Sequence, residues 1–198
     1  MLAGLILAAG QSTRFGGDKR QALLPSGQSM LDTVLTRYRT VLERLVVVIP
    51  PDDTFAYELC LQRGAEPVIN PEAHLGMGRS LAAGLAHIQT WPHAADWVGV
   101  VVGLADMPAV PPLLIHQIGM RLLQSIHEEA PGRPVAPTYQ GQLGHPRGIP
   151  AHLWPALMQL RGDEGAKAVL NWSQAIHLEV DQPGVLIDID TPQDLLRL

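Results

Sequence analysis

Apolar residues fall along this chain in two rhythms. Short uninterrupted runs, Leu2 to Leu7, Leu45 to Ile49 and Trp97 to Gly103, are sharply bounded and predict buried strands. Between them the apolar positions take helical spacing. Leu31, Val34, Leu35, Tyr38, Val41 and Leu42 form one such face, opened by Ser29 as a cap. Phe55, Leu59 and Cys60 form another, capped by Asp52 or Asp53 and ending at Gly64, with a short strand from Pro67 to Ile69 behind it. The segment Asn70 to Leu85 reads as a turn feeding a helix. Pro111-Pro112 then opens a helix to about Ser125 with Ile115, Ile118, Leu122 and Leu123 inward.

The last third is more broken. Pro134 to Pro150 reads as short strands and turns, and His152 to Leu160 as a short helix. Arg161 to Lys167 makes a turn into a further helix. Ile176 to Val180 and Val185 to Ile187 are expected as strands. Thr191 and Pro192 then open a terminal helix. Strands alternating with helices predict an α/β fold: a Rossmann-like open, mostly parallel sheet with helices on both faces, in one domain spanning residues 1–198. In that architecture ligands gather at the carboxyl ends of the strands.

The end of the first strand carries matching chemistry. Leu7 is followed by the small residues Ala8, Ala9 and Gly10, which allow close backbone approach, and then by Arg14 and Lys19 with Gly16 and Gly17 between them. Backbone amides and fixed cations on one loop suit phosphate groups. The P-loop spacing and the dinucleotide fingerprint are both missing. Gly78, Arg79 and Ser80 open the helix after Gly76. By themselves they read as a plain helix start with Ser80 facing solvent.

At the end of the Trp97 strand, Leu104-Ala105 leads to Asp106. A carboxylate there is costly without a partner, and a divalent cation shared with phosphates is a natural one. Capping the next helix is the alternative. Asp188 and Asp190 alternate with Ile187 and Ile189, so either could be a second carboxylate for the metal. His145 and Arg147 sit on a glycine-rich loop suited to an acceptor, and Lys167 could meet a phosphate.

Composition narrows the classes. With 46% hydrophobic and 17% charged residues the chain can bury a core, and a formal net charge of −5 argues against a nucleic-acid surface. The single cysteine, Cys60, excludes an internal disulfide or a Cys-rich zinc site and suits a core position in a reducing cytoplasm. No apolar run approaches the roughly 20 residues of a membrane helix. The remaining histidines carry no metal motif such as H-E-x-x-H, and no Gly-x-Ser-x-Gly elbow is present.

The stretches Leu7 to Lys19, Gly76 to Leu81, Leu104 to Pro108, Gly144 to Pro146, Gly162 to Lys167 and Asp188 to Pro192 occur in one order along nearly the whole chain. Together they resemble the molybdenum cofactor cytidylyltransferases, within the wider group of guanylyl- and sugar-nucleotide transferases. The resemblance implies a nucleotide-diphospho-sugar transferase type of fold and Mg²⁺-dependent transfer of CMP from CTP to molybdopterin. A molybdenum hydroxylase would be the recipient enzyme. It further implies that Leu7, Ala8, Ala9, Gly10, Gly78, Arg79 and Ser80 contact the nucleotide and that Arg14 and Lys19 hold its triphosphate. Asp106 and Asp190 are implied as metal ligands. Ala8-Ala9-Gly10 is similar to the cytidine-selective form, whereas the guanylyl branch tends to carry Ala-Gly-Gly. The chain departs from the family at Gly78 and Arg79, where serines are usual, and at Lys167, where arginine is. GTP-dependent or sugar-phosphate transfer, and a non-catalytic molybdenum cofactor carrier, are the alternatives.

Overall fold

The computed structural model describes residues 1–160 and 170–198. Four parallel strands form its centre: β1 (Leu2–Leu7), β2 (Leu45–Ile49), β3 (Glu66–Ile69) and β4 (Gly99–Leu104). They stand in the order β3-β2-β1-β4, followed by β7 (Arg147–Pro150), β5 (Val135–Tyr139) and β6 (Gln142–Leu143). β7 runs antiparallel to β4, and β8 (Ile176–Glu179) pairs parallel with β5. The sheet is thus open, mixed and mostly parallel, in the manner of the nucleotide-diphospho-sugar transferases.

The period-two alternation of the strands sends successive residues to opposite faces. Ile6, Val47 and Val101 meet Leu31 and Leu35 of α1 (Met30–Arg39), Cys60 of α2 (Thr54–Gln62), and Ile115 and Ile118 of α4 (Pro112–Glu129). Leu5, Val46, Val48 and Val100 turn the other way. They meet Leu81, Leu85 and Ile88 of α3 (Met77–Gln89), and Trp154 and Leu157 of α5 (Trp154–Leu157). Helices therefore cover both faces. Cys60 is fully buried, and its thiol is pushed up to about 12 by burial and by the nearby Asp53 carboxylate. That leaves it an inert core residue.

Local signals behave as their chemistry requires. Ser29 accepts from the Asp32 backbone amide and Asp53 from that of Ala56, capping α1 and α2. One expected strand is absent. Residues Pro183–Leu186 form a 3-10 turn, because Pro183 suits a first helical position and Gly184 sits tight against Ala109. The Val185 carbonyl accepts from the His145 amide at 3.0 Å. The terminal helix is a 3-10 segment, Pro192–Arg197, opened by a capping box between Thr191 and Asp194. The turn and helix expected over 161–167 lie outside the described residues. Among the described residues no helix is long and apolar enough to cross a membrane.

Candidate active site

The carboxyl ends of β1 and β4 lie side by side, with Leu7 paired to Leu104. Whatever follows these strands is therefore brought together. The chain leaves β1 through Ala8, Ala9 and Gly10 into a largely exposed loop. It returns at a single turn of 3-10 helix, Lys19–Gln21, capped by Asp18. Lys19 then points back across the strand ends. Its ammonium donates to Asp106 Oδ2 at 2.7 Å and to Asp190 Oδ1 at 3.0 Å. Arg14 closes the group through Asp190 Oδ2 at 2.7 Å. Four residues scattered over the sequence thus form one cluster of two cations and two carboxylates.

The Lys19 side chain is only 13% exposed. Burial opposes its charge and is the largest single influence, but Asp106 and Asp190 together outweigh it and raise the Lys19 pKa above its ordinary value. The lysine is a fixed cation at neutral pH.

Asp190 reaches the cluster by a route other than strand alternation. The Ile189 amide donates to the Asp106 carbonyl at 2.9 Å, and the Ile189 side chain is fully buried with Leu24 and Met30. That anchor turns Asp190 toward Lys19 and leaves Asp188 exposed. Asp106 does not cap α4, whose N-terminus has Pro111 and no side-chain cap.

A cavity of about 430 Å³ opens in front of the strand ends. Leu7, Ala8, Ala9, Gly10, Lys19, Ser80 and Asp106 are among the residues that line it. An adjoining space of about 200 Å³ is bounded by Arg14, Lys19 and Asp190. Ser80 is held in place by a 3.2 Å hydrogen bond from the Asn70 side-chain amide. Gly78 and Arg79 line neither space: Gly78 is buried in the first turn of α3, and Arg79 pairs with Glu72 at 3.2 Å. His145 and Arg147 also lie off the cavity wall. Arg147 stacks 4.4 Å above the Trp172 ring and donates to the Gly144 carbonyl, with its pKa lowered by burial. Lys167 lies outside the described residues.

Sequence reasoning passed over several lining residues, among them Gln11, Arg20 and His74, and it gave Ser12 and Met77 no contact although both stand in its motifs. The available signal was adjacency, since Arg20 follows Lys19 directly and His74 and Met77 flank Gly76. The donor set also bears on metal binding. Asp106 Oδ1 is buried without a hydrogen-bond partner, and among the described residues no group of three or more His, Cys, Asp or Glu could hold an ion alone. Two hard carboxylates beside these spaces fit a divalent cation of the Mg²⁺ type, completed by substrate oxygens and water.

Comparison with known proteins gives the family and the fold. The family model described as the MobA-like NTP transferase domain matches residues 4–178. Purine catabolism protein PucB of Bacillus subtilis is 28% identical over 204 residues, covering 98% of this chain and 93% of that protein. Rv0371C of Mycobacterium tuberculosis, solved in complex with manganese, superimposes with a TM-score of 0.74 at 25% identity, covering 100% of this chain and 97% of that one. A nucleotidyl transferase from Methanothermobacter thermautotrophicus shares the fold with a TM-score of 0.78 at 19% identity, covering 100% and 95%.

Proposed function

The chain belongs to the MobA-like NTP transferase family, and from that premise we propose that it moves CMP from CTP to the terminal phosphate of molybdopterin. The observation that carries this reading is the Lys19 ammonium bridging Asp106 and Asp190, with Lys19 and Asp106 lining one cavity together with Ala8, Ala9 and Gly10. The choice of CTP is supported by Ala9. Ala9 lines the cavity and is buried, and Ala8-Ala9-Gly10 has the form that resembles the cytidine-selective branch.

In the proposed reaction an acceptor phosphate oxygen attacks the α-phosphorus of CTP. The bond from that phosphorus to the bridging oxygen breaks, and pyrophosphate leaves with the electron pair. The acceptor is already anionic, so no side chain has to remove a proton. What the chain supplies is alignment and charge. Ala8, Ala9, Gly10 and Ser80 seat the nucleoside, and Arg14 and Lys19 take up negative charge on the departing pyrophosphate. Asp106 and Asp190 would hold Mg²⁺, which when bound supplies further neutralisation of the phosphates. The related Rv0371C was solved in complex with manganese, which supports a divalent ion as the cofactor.

The test is thermal stabilisation by CTP, GTP, UTP and ATP, each with and without Mg²⁺, followed by pyrophosphate release in the presence of molybdopterin. A CTP-specific, Mg²⁺-dependent shift with acceptor-dependent release is expected. A GTP-specific shift would move the chain to guanylyl transfer. No shift with any nucleotide would leave a cofactor carrier in its place.

A further inference from the structure

The loop that carries Lys19 has few anchors of its own. From Gly10 to Gly17 it is largely exposed, and its internal backbone bond is the one from the Phe15 amide to the Ser12 carbonyl. Phe15 adds a partial apolar contact with the Leu24–Met30–Ile189 cluster. Yet the Lys19 ammonium is held within 3.0 Å of two carboxylates from distant segments.

The neighbouring side chain accounts for this. Arg20 is 12% exposed, and its guanidinium reaches three separate parts of the fold. One terminal nitrogen donates to the Ala8 carbonyl at 2.8 Å, at the end of β1 on the cavity wall. Its Nε donates to Asp18 Oδ1 at 2.7 Å, the carboxylate that caps the turn bearing Lys19. The same Nε lies 3.1 Å from Asp53 Oδ2, on the residue that caps α2. Asp53 is 6% exposed, and that oxygen has no hydrogen bond of its own, so the arginine charge is what balances it. Asp18 feels the same charge: burial works against its ionised form, but hydrogen bonds from Arg20 and Gln21 hold its carboxyl below the ordinary range.

We propose that Arg20 is a positioning residue for nucleotidyl transfer, tying the Lys19 turn to the end of β1 and the cap of α2 so that Lys19 meets the reacting phosphates in register. The inference rests on the transferase reading above. Lysine cannot replace this arginine, because a single ammonium cannot present a planar fork to three partners in three directions. The capping and pairing roles of Asp53 separate cleanly, since asparagine caps a helix as well as aspartate does but carries no charge.

The experiment compares Arg20→Lys, Arg20→Gln and Asp53→Asn with the unaltered protein. Each is measured for kcat and KM of transfer and for amide hydrogen exchange over residues 19–22. We expect Arg20→Lys to lower kcat by about 10-fold or more with KM for the nucleotide changed less than about threefold. Asp53→Asn should act in the same direction, and both should exchange faster at the amides of Gln21 and Ala22, which now bond to Asp18 and Lys19 carbonyls. A double Arg20→Gln, Asp53→Asn variant that loses little beyond Arg20→Gln alone would show the two acting as one unit. The proposal is overturned if Asp53→Asn is unchanged while Arg20→Gln raises only KM, which would make Arg20 a direct nucleotide contact. It is equally overturned if the variants melt earlier but keep full kcat per folded molecule. Should the unaltered protein transfer no nucleotide at all, the transferase reading fails, and unaltered exchange in the variants would then remove the tether as well.

Discussion

Lys19 Nζ stands 2.7 Å from Asp106 Oδ2 across 87 residues of sequence. The pairing of β1 with β4 makes this possible, because it sets Leu7 beside Leu104 and delivers both following loops to one place. In the proposed reaction this positive charge would meet the negative charge that develops on departing pyrophosphate.

Replacing Lys19 with alanine should therefore lower transfer by about 10² or more, the scale of losing one preorganised electrostatic contact. Core packing should persist, since Lys19 belongs to none of the apolar clusters. Single-turnover kinetics alongside circular dichroism would check both halves. Near-normal turnover in a folded variant would remove Lys19 from the mechanism.

The parts of this site that were legible in the sequence are the local ones. The apolar run of β1, the small residues after it and the cations beyond are contiguous, so their chemistry could be read in one stretch. Asp190 was legible as a candidate, but for another reason than the one that places it. Strand alternation was expected, whereas a 3-10 turn and the Ile189–Asp106 backbone bond set its direction. Arg79 showed the reverse: a cation near the nucleotide segment is captured by Glu72, seven positions upstream, once the turn at Gly76 folds back. Adjacency to Lys19 could have marked Arg20, but its partners could not be read, because the Ala8 carbonyl and Asp53 become its neighbours only when β1 and β2 pair.

A second ion pair makes a prediction about acid stability. Arg63, at the end of α2, donates to both oxygens of Asp32 in α1, at 2.5 and 2.8 Å. The hydrogen bond from Arg63 is the main influence on Asp32 and outweighs burial, holding its carboxyl below the ordinary 3.8. A carboxylate depressed by folding contributes stability above its unfolded value, and that contribution disappears as pH falls through the lower folded value. Arg63→Gln should therefore melt below the unaltered protein near neutral pH, with the gap closing as the pH is taken below 3.8. Melting curves across that range decide it, and a gap independent of pH would mean that Arg63 contributes packing alone.

Gly103 offers a test of how the strand that leads to Asp106 is seated. It lies in β4, three residues before Asp106, with Tyr38 of α1 packed directly over it. A methyl group built at Gly103 would collide with the Tyr38 ring carbon and hydroxyl oxygen, and would lie 3.0 Å from Ile6 Cδ1. Tyr38 is itself 3% exposed and has little room to swing away. Gly103→Ala should therefore destabilise by about 1–3 kcal/mol, the usual cost of overpacking a dense core, read as a lower urea midpoint with an unchanged slope. Adding Tyr38→Phe removes the clashing oxygen and should recover part of the loss. If the single variant is as stable as the parent, α1 can move off the sheet at little cost. The close seating of Tyr38 would then not be what fixes the end of β4, and the position of Asp106 would depend on the Ile189 anchor instead.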